Sequence, residues 1–115
     1  MNILGNLAAM IALKKVHHEM EKKLKLKVKS YKLVCIFVLD QYYADVLIDT
    51  KVRRYPIDEG KKVIGETVKM LAKKELSSNE VLDGIEIDYC KETGNAKAKI
   101  YHSEGNVKGT KTIEL

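Results

Sequence analysis

The most metal-like group of side chains in the sequence is the cluster of His17, His18 and Glu21. On a helix, His17 and Glu21 are four residues apart and share one face, which places an imidazole beside a carboxylate. A zinc site needs at least one more protein ligand, and the third histidine, His102, lies far along the chain. We therefore expect no metal site and no cofactor, and we interpret His17 as a helix residue at the boundary of the core.

The carboxylates of Glu86 and Asp88 would share one face of a strand, where a buried pair could act in general acid–base catalysis. Lysines alternate in the next segment at Lys97 and Lys99, which favours cross-strand ion pairs over catalysis. The sequence contains no G-x-G-x-x-G, P-loop or H-E-x-x-H motif, and its four serines stand in no nucleophile motif. We therefore expect a protein that is not an enzyme.

Positive charge is concentrated in the basic segment, residues 14–32, which holds eight lysines against two glutamates. Its local charge is +6, whereas the whole chain carries +5, so the rest of the protein is close to neutral. Because lysines attract phosphates regardless of sequence, this segment could bind nucleic acid together with Arg53 and Arg54. An anionic membrane surface and a purely solvated face are the other interpretations. The candidate lysines are Lys14, Lys15, Lys22, Lys23, Lys25, Lys27, Lys29 and Lys32.

A second basic surface is predicted where tyrosines interleave with cations. If residues 43–55 form a single strand, Tyr43, Lys51, Arg53 and Tyr55 lie on the same side of it. Tyrosine rings beside cations suit the stacking of bases next to a neutralised phosphate backbone. Acidic residues on the same side oppose this role, and an ordinary solvent-exposed strand face is the alternative interpretation.

Apolar residues recur at helical spacing in residues 3–23, and the first three turns are apolar on nearly every side. One stripe, which Leu13, Val16 and Met20 continue, is expected to face the core. A second apolar face exceeds what one small domain can cover, so it predicts contact with another chain. This candidate partner-binding face consists of Ile3, Leu4, Leu7 and Ile11.

These observations favour a non-catalytic protein-interaction module that self-associates or docks a protein partner through its N-terminal helix. Self-association would most simply give a two-fold homodimer. Nucleic-acid binding through the basic segment is the alternative function, and a dimer would double the basic surface available for it. Peripheral contact with a membrane stays open as a third interpretation.

The remaining pattern predicts a single α+β domain over residues 1–115, in which the N-terminal helix is followed by β-β-α-β-β-β. Its sheet is expected to be mainly antiparallel and packed with two helices. This order of elements resembles that of the roadblock and longin type of dimerising scaffold, in topology alone. The resemblance implies a layout that can support dimerisation.

Several boundaries of these elements can be predicted. Residues 33–39 are continuously apolar and predict a central strand buried on both faces, and residues 43–55 predict the next strand. Asp58 is the expected N-cap of a second helix that ends near Leu76. The alternating residues 24–29 are interpreted either as a strand or as the end of the first helix.

The length and composition bound the class of protein. A chain of 115 residues, 45% hydrophobic and 32% charged, can bury a core and is neither disordered nor multi-domain. No apolar run approaches the roughly 18 residues of a membrane span, so we expect no integral membrane protein. Lys14 and Lys15 follow the N-terminal apolar run, the wrong charge order for a signal peptide, which predicts a cytoplasmic protein. Cys35 and Cys90 are then expected to be reduced thiols.

Overall fold

Two helices and six strands follow one another in the computed structural model, which describes residues 3–58 and 60–115, with side chains from Asn6 onward. The strands form one antiparallel sheet in the order β3-β2-β1-β4-β5-β6, which confirms the predicted α+β class. The elements are α1 (Ile3–Leu24), β1 (Ser30–Ile36), a short 3-10 turn (Phe37–Leu39), β2 (Gln41–Ile48), β3 (Lys51–Pro56), α2 (Lys61–Lys73), β4 (Val81–Cys90), β5 (Asn95–Glu104) and β6 (Val107–Glu114).

Helix α1 packs on the sheet through one stripe of side chains spaced three or four residues apart, as the sequence predicts. The residues of this stripe include Ala9, Leu13, Val16 and Met20, each no more than 4% exposed. The opposite side of the helix remains in contact with solvent. No helix in the described parts of the chain is long and apolar enough to cross a membrane.

The end of α1 settles how residues 24–29 fold. Lys25 has a φ of 56° and donates its backbone N–H to the carbonyl of Glu21 over 2.8 Å, which caps the helix in the left-handed conformation. Leu24 is therefore the last helical residue, and the rest of the segment is a loop. Neither a strand nor a longer helix forms there.

Residues 43–55 form two strands, so the prediction of a single strand is wrong. Asp49 and Thr50 have φ values of 49° and 69°, and they reverse the chain in a two-residue hairpin turn between β2 and β3. Two positive φ values match the twist of the flanking strands, which is why short hairpins favour such turns. The turn was missed because it contains no glycine, the usual signal of this conformation.

The predicted strand over residues 33–39 is also wrong for its last three residues. Strand β1 ends at Ile36, and Phe37–Leu39 turn away in a 3-10 conformation that leaves Val38 78% exposed. Asp40 closes this turn, since it has a φ of 50° and donates its backbone N–H to the carbonyl of Phe37. An apolar run alone does not reveal that the chain leaves the sheet before the run ends.

Helix α2 begins at Lys61, and Gly60 is the residue at its N-cap position. The prediction that Asp58 is the N-cap is therefore wrong. Gly60 has a φ of 71° and provides no side chain to cap the helix. Ile57 is buried and donates its backbone N–H to the carbonyl of Tyr42 over 2.9 Å, which extends the pairing with β2 past the end of β3. This hydrogen bond holds Asp58 outside the first helical turn. The helix also ends three residues earlier than predicted.

The hydrophobic core lies between the two helices and one face of the sheet. Its most deeply buried strand residues include Leu33, Val46, Ile85, Ile87 and Ile100, at most 2% exposed. Cys35 belongs to the same layer, and its burial raises the pKa of the thiol to about 12. Both cysteines are free thiols, and Cys90 is half-buried.

Gly84 allows β4 to lie close against β1. A Cβ at this position would stand 2.8 Å from the carbonyl oxygen of Cys35, which belongs to the central strand and cannot move aside. We expect Gly84→Ala to lower the free energy of unfolding by about 1–3 kcal/mol in chemical denaturation. The control Thr112→Ala, on the exposed side of β6, is expected to change it by less than about 0.5 kcal/mol. Equal stabilities of the two variants would contradict this close approach.

Candidate functional site: the groove between the two helices

The predicted partner-binding face of α1 is exposed where the structure describes it. Leu7 and Ile11 are 55% and 48% exposed, on the side of the helix that faces away from the core stripe. The side chains of Ile3 and Leu4 lie outside the described residues. The use of this face for binding stays a prediction, but the domain itself leaves about half of the Leu7 and Ile11 side chains uncovered.

Ile11 lines an apolar groove of about 720 Å³ that lies between α1 and α2. On the α2 side the groove is lined by Thr67 and by Val63, which is 68% exposed. Ile57 and Ile64 also line it, and both are buried. The groove therefore joins exposed apolar side chains on its two sides with buried ones below them.

Two alanines, Ala8 and Ala12, on one flank of α1 leave room for this groove. Ala8, Ala12, Lys15 and Glu19 recur at spacings of four, three and four, so they share one side of the helix, and all four line the groove. A methyl side chain cannot fill the space that a leucine would fill, so the helices touch while a channel remains above the contact. The matching face of α2 consists of Val63, Ile64 and Thr67, and Gly60 lines the groove just before the helix.

Charged groups surround the apolar lining. Lys14, Lys15 and His18 line the groove from α1, and all three side chains are exposed. The carboxylates of Glu19 and Asp58 line it as well. Two lysines thus lie along the α1 side of an apolar channel, next to two carboxylates.

Tyr55 lines the same groove, and a cation from the end of α1 lies above its ring. The ammonium of Lys23 is 5.8 Å from the ring centroid, a cation–π contact. Lys23 is one helical turn beyond Glu19, and Asp58 follows Tyr55 by three residues. The two carboxylates of the groove therefore belong to the end marked by Tyr55.

The two helices carry the net charge of the protein. The formal charge of α1 is +2 and that of α2 is +3, which together equal the +5 of the whole chain. One of these cations, Lys61, forms an ion pair with Asp40 at 3.1 Å. The helical side of the molecule is therefore basic, while the strands and loops are neutral in sum.

The basic segment predicted from the sequence does not form one surface. Lys14, Lys15, Lys22 and Lys23 belong to α1, and Lys25, Lys27 and Lys29 belong to the loop that follows it. Lys32 projects instead from the face of the sheet opposite the helices, where its ammonium is 3.3 Å from Glu86. The hydrogen bond to Glu86, followed by the nearby Asp88, raises the pKa of Lys32. Lys32 is already paired with carboxylates and is separated from the other candidate lysines.

Arg53 and Arg54 are neighbours on β3 and therefore lie on opposite faces of the sheet. Arg53 shares the helix-side face of β3 with Lys51 and Tyr55, because it lies opposite Val46 in the register. Arg54 is on the other face, where it binds Asp45 at 3.1 Å and stacks 3.7 Å above the ring of Tyr43. The prediction that Tyr43, Lys51, Arg53 and Tyr55 share one face is therefore wrong, since a two-residue turn shifts the alternation.

A row of alternating charge crosses the outer face of the sheet, the face opposite the helices. Six residues, one on each strand, stand opposite their neighbours with a change of sign at every step. In spatial order they are Arg54, Asp45, Lys32, Asp88, Lys97 and Glu114. Opposite charges on adjacent strands stabilise a sheet modestly, and such a row has no net charge. Only the strand register reveals this row, so reading the sequence element by element missed it.

The predicted carboxylate pair belongs to the same outer face. Glu86 accepts a hydrogen bond of 2.5 Å from the hydroxyl of Tyr101 and pairs with Lys32, and both contacts lower the pKa of Glu86. Asp88 lies opposite Lys97 in the register. Both carboxylates therefore lie among cross-strand partners, as the lysine alternation predicts, and neither is buried.

His17 is a structural residue of the helix–sheet contact. It is 5% exposed, and its Nε2 donates to the carbonyl of Val28 over 2.5 Å. The carboxylate of Glu21 accepts the backbone N–H of Val28 over 2.7 Å and lies 3.6 Å from Nδ1 of His17. The rings of Tyr31 and Tyr89 lie about 6 Å from the imidazole, at 6.3 and 6.2 Å between centroids. The predicted boundary residue is thus buried and joins α1 to the loop before β1.

The third histidine, His102, interacts with a carboxylate in another part of the molecule. Nδ1 of His102 is 2.8 Å from Glu80, which also pairs with Lys111 at 3.0 Å and accepts the backbone N–H of Ser77. Within residues 3–58 and 60–115 no group of three or more His, Cys, Asp or Glu side chains could hold a metal ion.

No protein-family model, curated protein or solved structure matches the chain. We therefore infer its function from the geometry and chemistry of its own surfaces.

The backbone hydrogen bond from Val28, followed by the charge of His17, lowers the pKa of Glu21 below its ordinary value of 4.5. A carboxylate with a lowered pKa stabilises the fold above pH 4.5, and this stabilisation is lost as the pH falls through the lowered value. We therefore expect Glu21→Gln to destabilise the protein at neutral pH, and by less as the solution is acidified. Urea denaturation along a pH series measures this difference. The control Glu104→Gln, at the exposed end of β5, is expected to stay close to the parent throughout. A deficit for Glu21→Gln that does not shrink in acid would contradict the role of this carboxylate.

Proposed function

We propose that this chain is a non-catalytic protein-interaction module that binds a helical segment of a partner protein in the groove between α1 and α2. The observation that carries the proposal is the groove itself, with the half-exposed Ile11 on one side and Val63, 68% exposed, on the other. Neither Ile11 nor Val63 belongs to the hydrophobic core, so the packing of the core does not explain their apolar character. Apolar grooves left open on a folded domain are typical binding sites.

The shape of the groove favours a helix as its occupant. An amphipathic helix can lay residues at i, i+3, i+4 and i+7 into an apolar channel between two helices. Residues Ala8 to Glu19 of α1 line the groove, a length of about 17 Å at 1.5 Å per residue. About three turns of a partner helix match this length, which is enough for three or four apolar anchors.

A designed amphipathic peptide tests this function. We expect a helical peptide of about 14 residues, with leucines at i, i+3, i+4 and i+7 and an uncharged glutamine-rich outer face, to bind with a micromolar Kd. Val63→Asp is expected to weaken binding at least about tenfold, because it places a charge on the apolar lining. Titration followed by fluorescence anisotropy of a labelled peptide measures both values.

Val81→Asp is the matched control, since Val81 is 60% exposed on β4 and does not line the groove. It is expected to bind the peptide as the parent does. Equal weakening by the two substitutions, or no binding by any of the three proteins, would overturn the proposed site.

Nucleic-acid binding is a second candidate, favoured by one observation. Residues 22–29 at the end of α1 and in the following loop contain five exposed lysines and no acidic residue. Lysines in the last turn also stabilise a helix by interacting with its dipole, so their presence has a structural explanation as well.

Binding of single-stranded RNA at low salt distinguishes phosphate binding by these lysines from a purely structural role. If the segment contacts phosphates, a double variant Lys25→Gln/Lys27→Gln binds more weakly and the salt dependence of log Kd falls by about one to two units of slope. Lys97→Gln/Lys99→Gln, on the outer face of the sheet, is the control with the same change of charge. An equal loss in both double variants would indicate general attraction only and would remove this candidate.

A further inference from the structure

We infer that the partner helix in the groove between α1 and α2 is acidic along the side that lies over α1, and that the groove does not accept a second copy of this chain. The inference rests on the proposed function and adds the chemistry of the ligand to it. It follows from the distribution of charge around the groove.

The cations of α1 lie where a bound helix would meet them. Lys14 and Lys15 line the groove, and Lys22 is about two turns further along the exposed side of the same helix. All three are exposed, and no carboxylate is paired with any of them among the described residues. Aspartate or glutamate on the outer flank of a partner helix would therefore find cations without displacing an existing ion pair.

A second copy would bring like charges together. In a two-fold dimer the same surface of both subunits is used, so α1 and α2 of one subunit would face those of the other. Each pair of helices carries +5, and repulsion between two such faces opposes their association. The self-association predicted from the apolar face of α1 is therefore less favourable here than the docking of an acidic partner.

The concave shape favours a protein segment over other anionic surfaces. Ile57 and Ile64 are buried residues of the lining, 6% and 8% exposed, and only a ligand that projects into the channel can reach them. A flat bilayer would meet exposed side chains such as Leu7 instead, and nucleic acid offers no apolar side chains for this lining. The groove therefore fits an amphipathic helix with an acidic flank.

Three peptides that share the same leucines but differ in their outer face test this inference. Their outer faces carry glutamate, glutamine or lysine. In dilute buffer we expect the glutamate peptide to bind about tenfold more tightly than the glutamine peptide, and the lysine peptide to bind more weakly than either. Raising the salt concentration to about 0.5 M is expected to bring the three affinities together.

A charge-reversal variant keeps the test specific to the groove. Lys14→Glu/Lys15→Glu is expected to abolish the preference for the glutamate peptide, while Lys74→Glu/Lys108→Glu, the same change of charge at two exposed lysines outside the groove, preserves it. If Val63→Asp weakens binding of the glutamine peptide but the glutamate peptide binds no more tightly than it, the inference of an acidic partner is wrong. The proposal that the groove binds a helix is supported in that case. If no peptide binds in a Val63-dependent way, the proposed function itself fails.

Two further measurements test whether a second copy of this chain or a membrane surface occupies the groove instead. Sedimentation equilibrium at about 100 μM is expected to show a monomer. A dimer that Val63→Asp dissociates would overturn the inference in favour of a second copy. Co-sedimentation with phosphatidylserine vesicles is expected to be insensitive to Val63→Asp, and binding that this substitution abolishes would assign the groove to a membrane surface instead.

Discussion

The position of α1 over the sheet depends on a small set of buried hydrogen bonds around Val28. Its carbonyl accepts from His17 over 2.5 Å and its N–H donates to Glu21 over 2.7 Å, while the hydroxyl of Tyr31 donates to the carbonyl of Leu13 over 2.5 Å. Buried polar groups that lose such partners destabilise a fold by about 1–3 kcal/mol each, so these contacts allow little sliding or rotation of the helix. They hold the leucine and methionine stripe on the core and thereby direct the alanine flank of α1 toward the groove.

The distribution of charge follows from the same one-sided architecture. Both helices cover one face of the sheet, and the outer face is left to water, where cations and carboxylates alternate from β3 to β6. The charges of this row therefore cancel among themselves, whereas the formal charges of the two helices sum to +5. A groove with an apolar lining and nearby lysines on one side and a row of alternating charges on the other give the molecule two chemically different surfaces.

The sequence predicted the features that follow from helical or strand periodicity. It did not predict the features that depend on how two segments of the chain pair or pack. The stripe of α1, the class of fold and the exposure of Leu7 and Ile11 follow from helical and strand periods. The hairpin turn at Asp49 and Thr50 has no glycine, and missing it placed Arg53 and Arg54 on the wrong surfaces. The groove could not be predicted, because it depends on which flank of α1 meets α2. Ala8 and Ala12, small residues four apart beside an apolar stripe, were its only signal in the sequence.

The most direct test of the account is where a bound helix touches the protein. Backbone amide shifts in an NMR titration with the glutamate-faced leucine peptide report this residue by residue. We predict that the largest shifts fall in residues 8–19 of α1 and in residues 60–67 at the start of α2, with little change on β5 and β6. Shifts confined to residues 22–29 or to the outer face of the sheet, with the helical groove unaffected, would contradict it.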